Sequence, residues 1–338
     1  MSGAKVGILG AGSWGIAMAN LLAANSCEVK MWEFDPKACE SLLQNRELPS
    51  KLPGIKIDKS ILITNNLKEA SNSAEYIFSA VPAQFLRSAL EGAIFGTVDK
   101  GAIFINLAKG IEVGSLKRMS EVIEEKIPQD SRSGICTLSG PSHAEEVARN
   151  IPTAVTIASD SMETAKKVQG LFQSPNFRVY SSNDLVGVEL AGSLKNVIAL
   201  AAGMLDGLEL GDNTRGALIT RGLAEMVRLG FKMGADPQTF SGLSGIGDLV
   251  TTCLSKHSRN RYVGEHIGRG EKLNDVLSKM AMVAEGVETT RSARELAHNN
   301  DVEMPITFEV YKVLFENKPP GIAIGDLMGR DQKREFWE

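Results

Sequence analysis

Lys195 is the only cation in the stretch Glu189-Leu190-Ala191-Gly192-Ser193-Leu194-Lys195-Asn196-Val197-Ile198-Ala199-Leu200-Ala201-Ala202, where small and apolar residues flank it on nearly every side. A helix of that composition is largely buried. Its lysine then either snorkels to water or is desolvated, and desolvation lowers an ammonium pKa toward the range where it can give and take a proton. A second lysine, Lys109, stands in Ala108-Lys109-Gly110, directly after the apolar run Ala102-Ile103-Phe104-Ile105-Asn106. It is either a solvated loop residue or a cation held out to a ligand. Asp248 and Thr252 are four apart and share one face of a helix, with Asp248 either a functional acid or a first-turn cap. Ser255-Lys256-His257-Ser258-Arg259-Asn260-Arg261 concentrates positive charge and hydrogen-bond donors. That segment is either a solvated turn or a phosphate seat, with arginine able to bind in bidentate fashion. The chemistry these residue types offer is proton transfer beside an anion-binding group.

Such side chains need elements to hold them, and the N-terminus provides the first. Lys5-Val6-Gly7-Ile8-Leu9 reads as a strand. Gly10-Ala11-Gly12-Ser13-Trp14-Gly15 follows at G-x-G-x-x-G spacing, and an Ala/Leu-rich helical pattern runs on to Ala24. In a strand-turn-helix context the first glycine permits the turn, the second leaves room for a pyrophosphate, and the third lets helix and strand pack closely. Unpaired N–H groups at the helix start favour an anion. Glu28-Val29-Lys30-Met31-Trp32 is a second strand. Glu33, eighteen positions after Gly15, stands where a dinucleotide fold places its ribose-binding carboxylate, although Asp35 competes for the role. A carboxylate there repels a 2′-phosphate and favours NAD over NADP, with Lys30 and Lys37 near enough in sequence to soften the repulsion.

Further strands are predicted at Ile61 to Thr64, Tyr76 to Val81, Ala102 to Asn106, Gly134 to Leu138, Ala154 to Ile157 and Phe177 to Tyr180. Helices are predicted from Pro82 through Ala89, from Leu116 to Ile127 and from Ser161 to Phe172. In Ser139-Gly140-Pro141-Ser142-His143-Ala144-Glu145-Glu146, Gly140 and Pro141 make a turn and Ser142 can cap the helix that Glu145 and Glu146 begin. From Asp184 onward helical patterns fill nearly everything to Leu327, with a flexible loop expected at Gly242 to Gly247 and a charged tail from Asp331 to Glu338. The expected architecture is an α/β Rossmann-type dinucleotide-binding domain over residues 1–188 followed by an all-α domain over 189–338. Two domains also suit a chain of 338 residues.

A formal net charge of −4 gives no global attraction to nucleic acid or an acidic membrane, so an anionic ligand must be held by local Lys and Arg. Cys27, Cys39, Cys136 and Cys253 are scattered without C-x-x-C or His pairing, which points to reduced thiols and to no metal site. The first strand begins almost at once, leaving no signal peptide. The most apolar helical stretch, Val197 to Met204, is too short to span a bilayer, so no membrane insertion is expected.

Taken in order, the motifs Gly10-Ala11-Gly12-Ser13-Trp14-Gly15, Ala108-Lys109-Gly110, Ser139-Gly140-Pro141-Ser142, Ala191-Gly192-Ser193-Leu194-Lys195-Asn196, Gly211-Asp212-Asn213-Thr214, Gly247-Asp248-Leu249 and Ser258-Arg259-Asn260 are jointly specific. Over nearly the whole chain they resemble the soluble NAD(P)-dependent glycerol-3-phosphate dehydrogenases of the bacterial type. The resemblance implies interconversion of dihydroxyacetone phosphate and sn-glycerol 3-phosphate for glycerophospholipid synthesis, in a cytoplasmic homodimer. It implies that Lys195 is the proton donor and acceptor at the C2 oxygen and that Lys109 is a second cation there. Gly140, Ser142, Asp248 and Thr252 match positions near the substrate hydroxyls, and Ser258, Arg259 and Asn260 its phosphate neighbourhood. For the cofactor it implies Gly10, Ala11, Gly12, Ser13, Trp14 and Gly15 in the turn, then Phe34, Phe85, Lys109, Ala144, Arg259, Val283 and Glu285. Many members of the bacterial type carry Arg or His where Phe34 stands, and Glu33-Phe34 here weakens the case for NADPH.

The residues read directly suit that chemistry. Hydride delivered to a carbonyl carbon leaves developing charge on oxygen, which a cation stabilises and a lysine proton neutralises. A β-hydroxyacid or 6-phosphogluconate-type dehydrogenase would share the first domain and a lysine acid. A non-enzymatic dinucleotide-sensing subunit would not need Lys195, Lys109 and the Arg259 cluster together.

Overall fold

Val6, Ile8 and Leu9 have almost no exposure because the strand they form, β1 (Lys5–Leu9), is covered on both faces, as strands of parallel sheets are. The computed structural model describes residues 3–91, 101–332 and 334–335, so part of the charged tail lies outside the described residues. The remaining strands are β2 (Glu28–Trp32), β3 (Leu62–Thr64), β4 (Tyr76–Ser79), β5 (Ala102–Asn106), β6 (Arg132–Ser139), β7 (Thr153–Ala158) and β8 (Phe177–Ser182). They form one eight-stranded sheet in the order β3-β2-β1-β4-β5-β6-β7-β8. Pairing is parallel from β3 to β6, so those strands end at one edge, where β1, β4, β5 and β6 lead into Gly10, Ala80, Leu107 and Gly140. This is the Rossmann arrangement, whose ligands bind at the carboxyl ends of the strands. Between β6 and β7 the pairing turns antiparallel, a reversal the sequence pattern does not announce.

The glycine turn has a steric basis. Gly10 has φ +108°, and a Cβ on Gly15 would lie 2.0 Å from the Gly10 carbonyl oxygen. Nothing stands within 4 Å of the Cβ position of Gly12, so the turn keeps an open face. The helix Ser13–Ala24 starts immediately there.

Several predicted bounds move. The helix expected from Leu116 is confined to Met119–Lys126, because Leu116 has φ +58° and Arg118 is bridged to Ile111. The helix expected over Ser161 to Phe172 spans Met162–Gln169, with Ser161 as its N-cap. Gly242 to Gly247 is no loose loop, since Leu243–Gly247 forms a turn, kinked at Gly245 (φ −90°, ψ −107°), that runs directly into the helix Asp248–Leu254.

From Leu185 to Met328 every regular element among the described residues is helical. At the centre is the core helix Leu185–Gly207, which contains Lys195. It extends well beyond Val197 to Met204, and by length and composition it could cross a membrane. It is instead an interior helix, with 94% of its apolar window buried inside the protein. It crosses the helix Arg259–Gly268 at backbone contact. A Cβ on Gly203 would lie 2.0 Å from the Arg261 carbonyl oxygen, and one on Gly264 2.0 Å from that of Leu200. That crossing fixes where Arg259 and Asn260 stand relative to Lys195.

One buried polar knot ties the core helix to the sheet. Glu189 accepts hydrogen bonds from the Ser120 backbone N–H at 2.9 Å, the Ser120 hydroxyl at 2.6 Å and Thr137 at 3.0 Å, and it pairs with Arg118 at 2.7 Å. Burial pushes its carboxyl above the usual range against the pull of Arg118. Removing one partner of a buried pair leaves the others desolvated and unpaired, so Glu189→Ala is expected to cost roughly 3–5 kcal/mol of stability in urea unfolding. A loss below about 1 kcal/mol, the level of an exposed pair, would show that the knot is dispensable.

Candidate active site

Lys195 does not snorkel. It is 5% exposed, and its ammonium donates to Asp248 Oδ1 at 2.7 Å and to the Thr252 hydroxyl. Lys109, at the end of β5, reaches the other oxygen, Asp248 Oδ2, at 2.7 Å, and also donates to the Gly140 carbonyl at 2.9 Å. One carboxylate thus bridges two ammonium groups at the carboxyl edge of the sheet. Burial works against the charge on Asp248, but Lys109 and Lys195 outweigh it and hold its carboxyl below the usual range. Burial lowers Lys195 to about 8, with Lys109 adding to the depression and Asp248 opposing it. Asp248 is therefore the partner of both lysines as well as the first residue of its helix, and Thr252 one turn on donates back to its carbonyl at 2.6 Å.

Backbone clamps hold this cluster. Asn106 closes a tight turn with Ala108, accepting from its N–H and donating to its carbonyl, both at 2.9 Å. Asn196, next to Lys195, donates to the Lys109 carbonyl at 2.9 Å and so couples the two lysine-bearing segments. Ser142 is not a helix cap. Its hydroxyl donates to the Gly140 carbonyl at 2.8 Å, and His143 occupies the cap position of the short helix Ala144–Val147.

At the start of the helix Arg259–Gly268, Ser258 is the N-cap, accepting from the Arg261 N–H at 3.2 Å. Asn260 is buried and accepts from the Gly286 N–H at 2.9 Å. Arg259 extends outward, donating to the Val283 carbonyl at 2.7 Å. This segment is a helix start packed on a neighbour, not a solvated turn. The Glu285 carboxylate accepts from the Ala83 N–H at 2.9 Å, linking the helical part to the segment after β4. Burial raises it to about 7 despite nearby Arg259.

Around the glycine turn, the Ser13 hydroxyl donates to the Lys51 carbonyl at 2.6 Å and lies 3.1 Å from Met282 Sδ, so the helical part reaches over the turn. Ala11 and Ala144 are buried, Trp14 is half-buried against the sheet core, and Phe34, Phe85 and Val283 are exposed at 73%, 57% and 39%. The open Cβ face of Gly12 and the strand-to-helix turn are the features a dinucleotide's pyrophosphate requires.

Glu33 has partners that its place in the sequence does not show. Its carboxylate is already engaged, by Lys51 at 3.1 Å and by the Asp35 N–H at 3.2 Å. Asp35 caps the helix Pro36–Asn45, its carboxylate accepting from the Lys37 N–H at 3.1 Å. The cation beside Glu33 is therefore Lys51, whereas Lys30 donates to the Asn72 carbonyl at 3.4 Å. Pattern reading overlooks Lys51, Asn106 and His143. The only local hint is the nearness of Asn106 to Lys109 and of His143 to Ser142.

Known proteins resemble this chain over nearly its whole length. Family models of the NAD-dependent glycerol-3-phosphate dehydrogenase N-terminus and C-terminus match residues 5–165 and 184–325. A glycerol-3-phosphate dehydrogenase [NAD(P)+] of Chlorobium phaeobacteroides (strain BS1) is 51% identical over 98% of this chain and 99% of its own length. That of Prosthecochloris aestuarii is 52% identical over 97% and 99%. The crystal structure of glycerol-3-phosphate dehydrogenase from Coxiella burnetii superposes with a TM-score of 0.92 at 34% identity, covering 97% of this chain and 99% of that one. A ketopantoate reductase from Ralstonia eutropha shares the fold at a TM-score of 0.61 and 13% identity. With a Rossmann sheet, a helical second half, family models matching residues 5–165 and 184–325 and a relative 51% identical over 98% of this chain, the chain belongs to the NAD-dependent glycerol-3-phosphate dehydrogenases and is an NAD(P)-using oxidoreductase.

Proposed function

We propose that the chain reduces dihydroxyacetone phosphate to sn-glycerol 3-phosphate, reversibly, with Lys195 as the proton-transfer group. The observation that carries this reading is the buried Lys195–Asp248–Lys109 bridge at the sheet edge that also bears the glycine turn. The dinucleotide, when bound along Gly10 to Gly15, supplies the hydride. Lys109 stabilises the charge that develops on the C2 oxygen, and Lys195 donates the proton, an assignment its value of about 8 suits. Asp248 aims both ammonium groups and supplies their counter-charge. Arg259 and the helix start behind it take the phosphate, with Gly140, Ser142 and Thr252 lining the hydroxyl side. Full-length likeness to glycerol-3-phosphate dehydrogenases, compared with a fold-only likeness to a ketopantoate reductase, favours this substrate over other hydroxyacids.

The test compares dihydroxyacetone phosphate with dihydroxyacetone. A polar site left unpaired by an incomplete substrate discriminates by roughly 10⁴-fold in kcat/KM, and that ratio is expected here. Comparable values would remove the phosphate site from the reading.

Cofactor choice is expected to be permissive. Lys51 neutralises Glu33, so a 2′-phosphate meets a cation as well as an acid. The prediction is NADH and NADPH turnover within about tenfold. Lys51→Ala should shift the ratio toward NADH by roughly 10- to 100-fold, the worth of one charge-assisted hydrogen bond. An unchanged ratio in that variant would place the discrimination elsewhere. The same reading takes residues 1–188 as the dinucleotide-binding domain and 189–338 as the helical substrate-binding and catalytic domain, with Lys109, Gly140 and Ser142 of the first reaching the substrate. It also takes the protein as a cytoplasmic homodimer supplying glycerophospholipid synthesis.

A further inference from the structure

His143 has no part in the scheme above, yet it lies among the residues that do. It follows Ser142 at the cap of the helix Ala144–Val147, and its ring stands 5.8 Å from that of His257, two residues before Arg259. It therefore sits where the sheet edge meets the helical phosphate segment. Its Nε2 is buried with no hydrogen-bond partner. An unpaired buried polar atom is costly, and at a binding site it marks a partner brought by the ligand. The charged and titratable groups facing the ring are Lys195, Lys109, Asp248 and His257. Burial first, then the two lysines, lowers His143 to about 4, so it is neutral when the enzyme works. A neutral imidazole cannot replace Lys195 as acid and adds no charge for the phosphate. It can donate or accept one hydrogen bond according to tautomer, which matches a hydroxyl group.

We infer that His143 is a substrate-contacting residue whose Nε2 hydrogen-bonds the free primary hydroxyl of the three-carbon substrate, making the enzyme selective for ketose phosphates that carry that hydroxyl. This rests on the proposed substrate. Lys109 and Lys195 hold the carbonyl oxygen, Arg259 holds the phosphate, and the remaining polar group of the molecule is this hydroxyl. Without it Nε2 stays unpaired, and a hydroxyl-reading site rejects the deoxygenated analogue for that reason.

The experiment compares dihydroxyacetone phosphate with hydroxyacetone phosphate, which has a methyl group in place of the hydroxymethyl group, for wild type, His143→Phe and His143→Gln. Wild type is expected to favour dihydroxyacetone phosphate by roughly 10- to 100-fold in kcat/KM. His143→Phe should bring that ratio to within about threefold while leaving hydroxyacetone phosphate turnover nearly unchanged, and His143→Gln, which keeps an amide near Nε2, should recover most of it. Equal losses on both substrates, or an unchanged ratio, would overturn the inference by making His143 structural or idle. So would a wild type that does not discriminate. Should His143→Phe fail to fold, His143→Gln and the wild-type ring signals decide. With four histidines in the chain, the His143 signal is assignable by that variant and should shift when sn-glycerol 3-phosphate is added alone. No shift on saturation overturns the contact. Failure of wild type to reduce dihydroxyacetone phosphate at all would refute the proposed function, a separate outcome read before any variant is made.

Discussion

Lys195→Ala is expected to cut kcat for ketone reduction by roughly 10²–10⁴-fold, the contribution of a positioned general acid, with cofactor binding nearly unchanged. The side chain is buried, donates to Asp248 and Thr252, and is lowered to about 8 by burial. Reduction needs the ammonium form and oxidation the free amine. Reduction kcat should therefore fall as pH rises through about 8, and alcohol oxidation should rise over the same interval. Both limbs should disappear in Lys195→Ala. Lys195→Arg should not restore activity, because a guanidinium keeps its proton at any relevant pH and has a different shape. A folded Lys195→Ala enzyme with near wild-type kcat would move the search to Lys109, the other cation on Asp248.

The second large effect is expected at Asp248→Asn. Each carboxylate oxygen accepts from a different lysine, both at 2.7 Å. An amide offers one acceptor oxygen and turns an NH₂ group toward the other ammonium. Losing the counter-charge lets burial and Lys109 lower Lys195 further, so less of it is protonated at neutral pH. Reduction should fall by roughly 10²-fold or more at pH 7, and its descending limb should move to a pH below that of wild type. Stability should fall as well, by roughly 3–5 kcal/mol, since the variant leaves buried ammonium uncompensated. The position of the limb separates the roles. A drop in stability with the limb in place would make Asp248 a packing residue and not the group that sets Lys195.

The strand, glycine turn and helix from Lys5 to Ala24 were legible because their causes are local. Alternation and apolar runs report burial, and Gly10 is required wherever the chain takes φ +108°. Lys195 was legible for a related reason, since a charge in an apolar helix is expensive and therefore conspicuous. Its partner was not. Asp248 lies 139 residues from Lys109 and 53 from Lys195, and no periodicity encodes which side chains meet across such separations. Tertiary packing also decided which alternative applied where residue type allowed two. Ser142 bonds the Gly140 carbonyl instead of capping, Gly242 to Gly247 is a kinked turn instead of a loose loop, and Glu33 is paired with Lys51 before any ribose arrives. Burial and long-range pairing select among conformations that local preference leaves nearly equal in energy. The same reason hid the reversal between β6 and β7, whose strand patterns read alike in either direction.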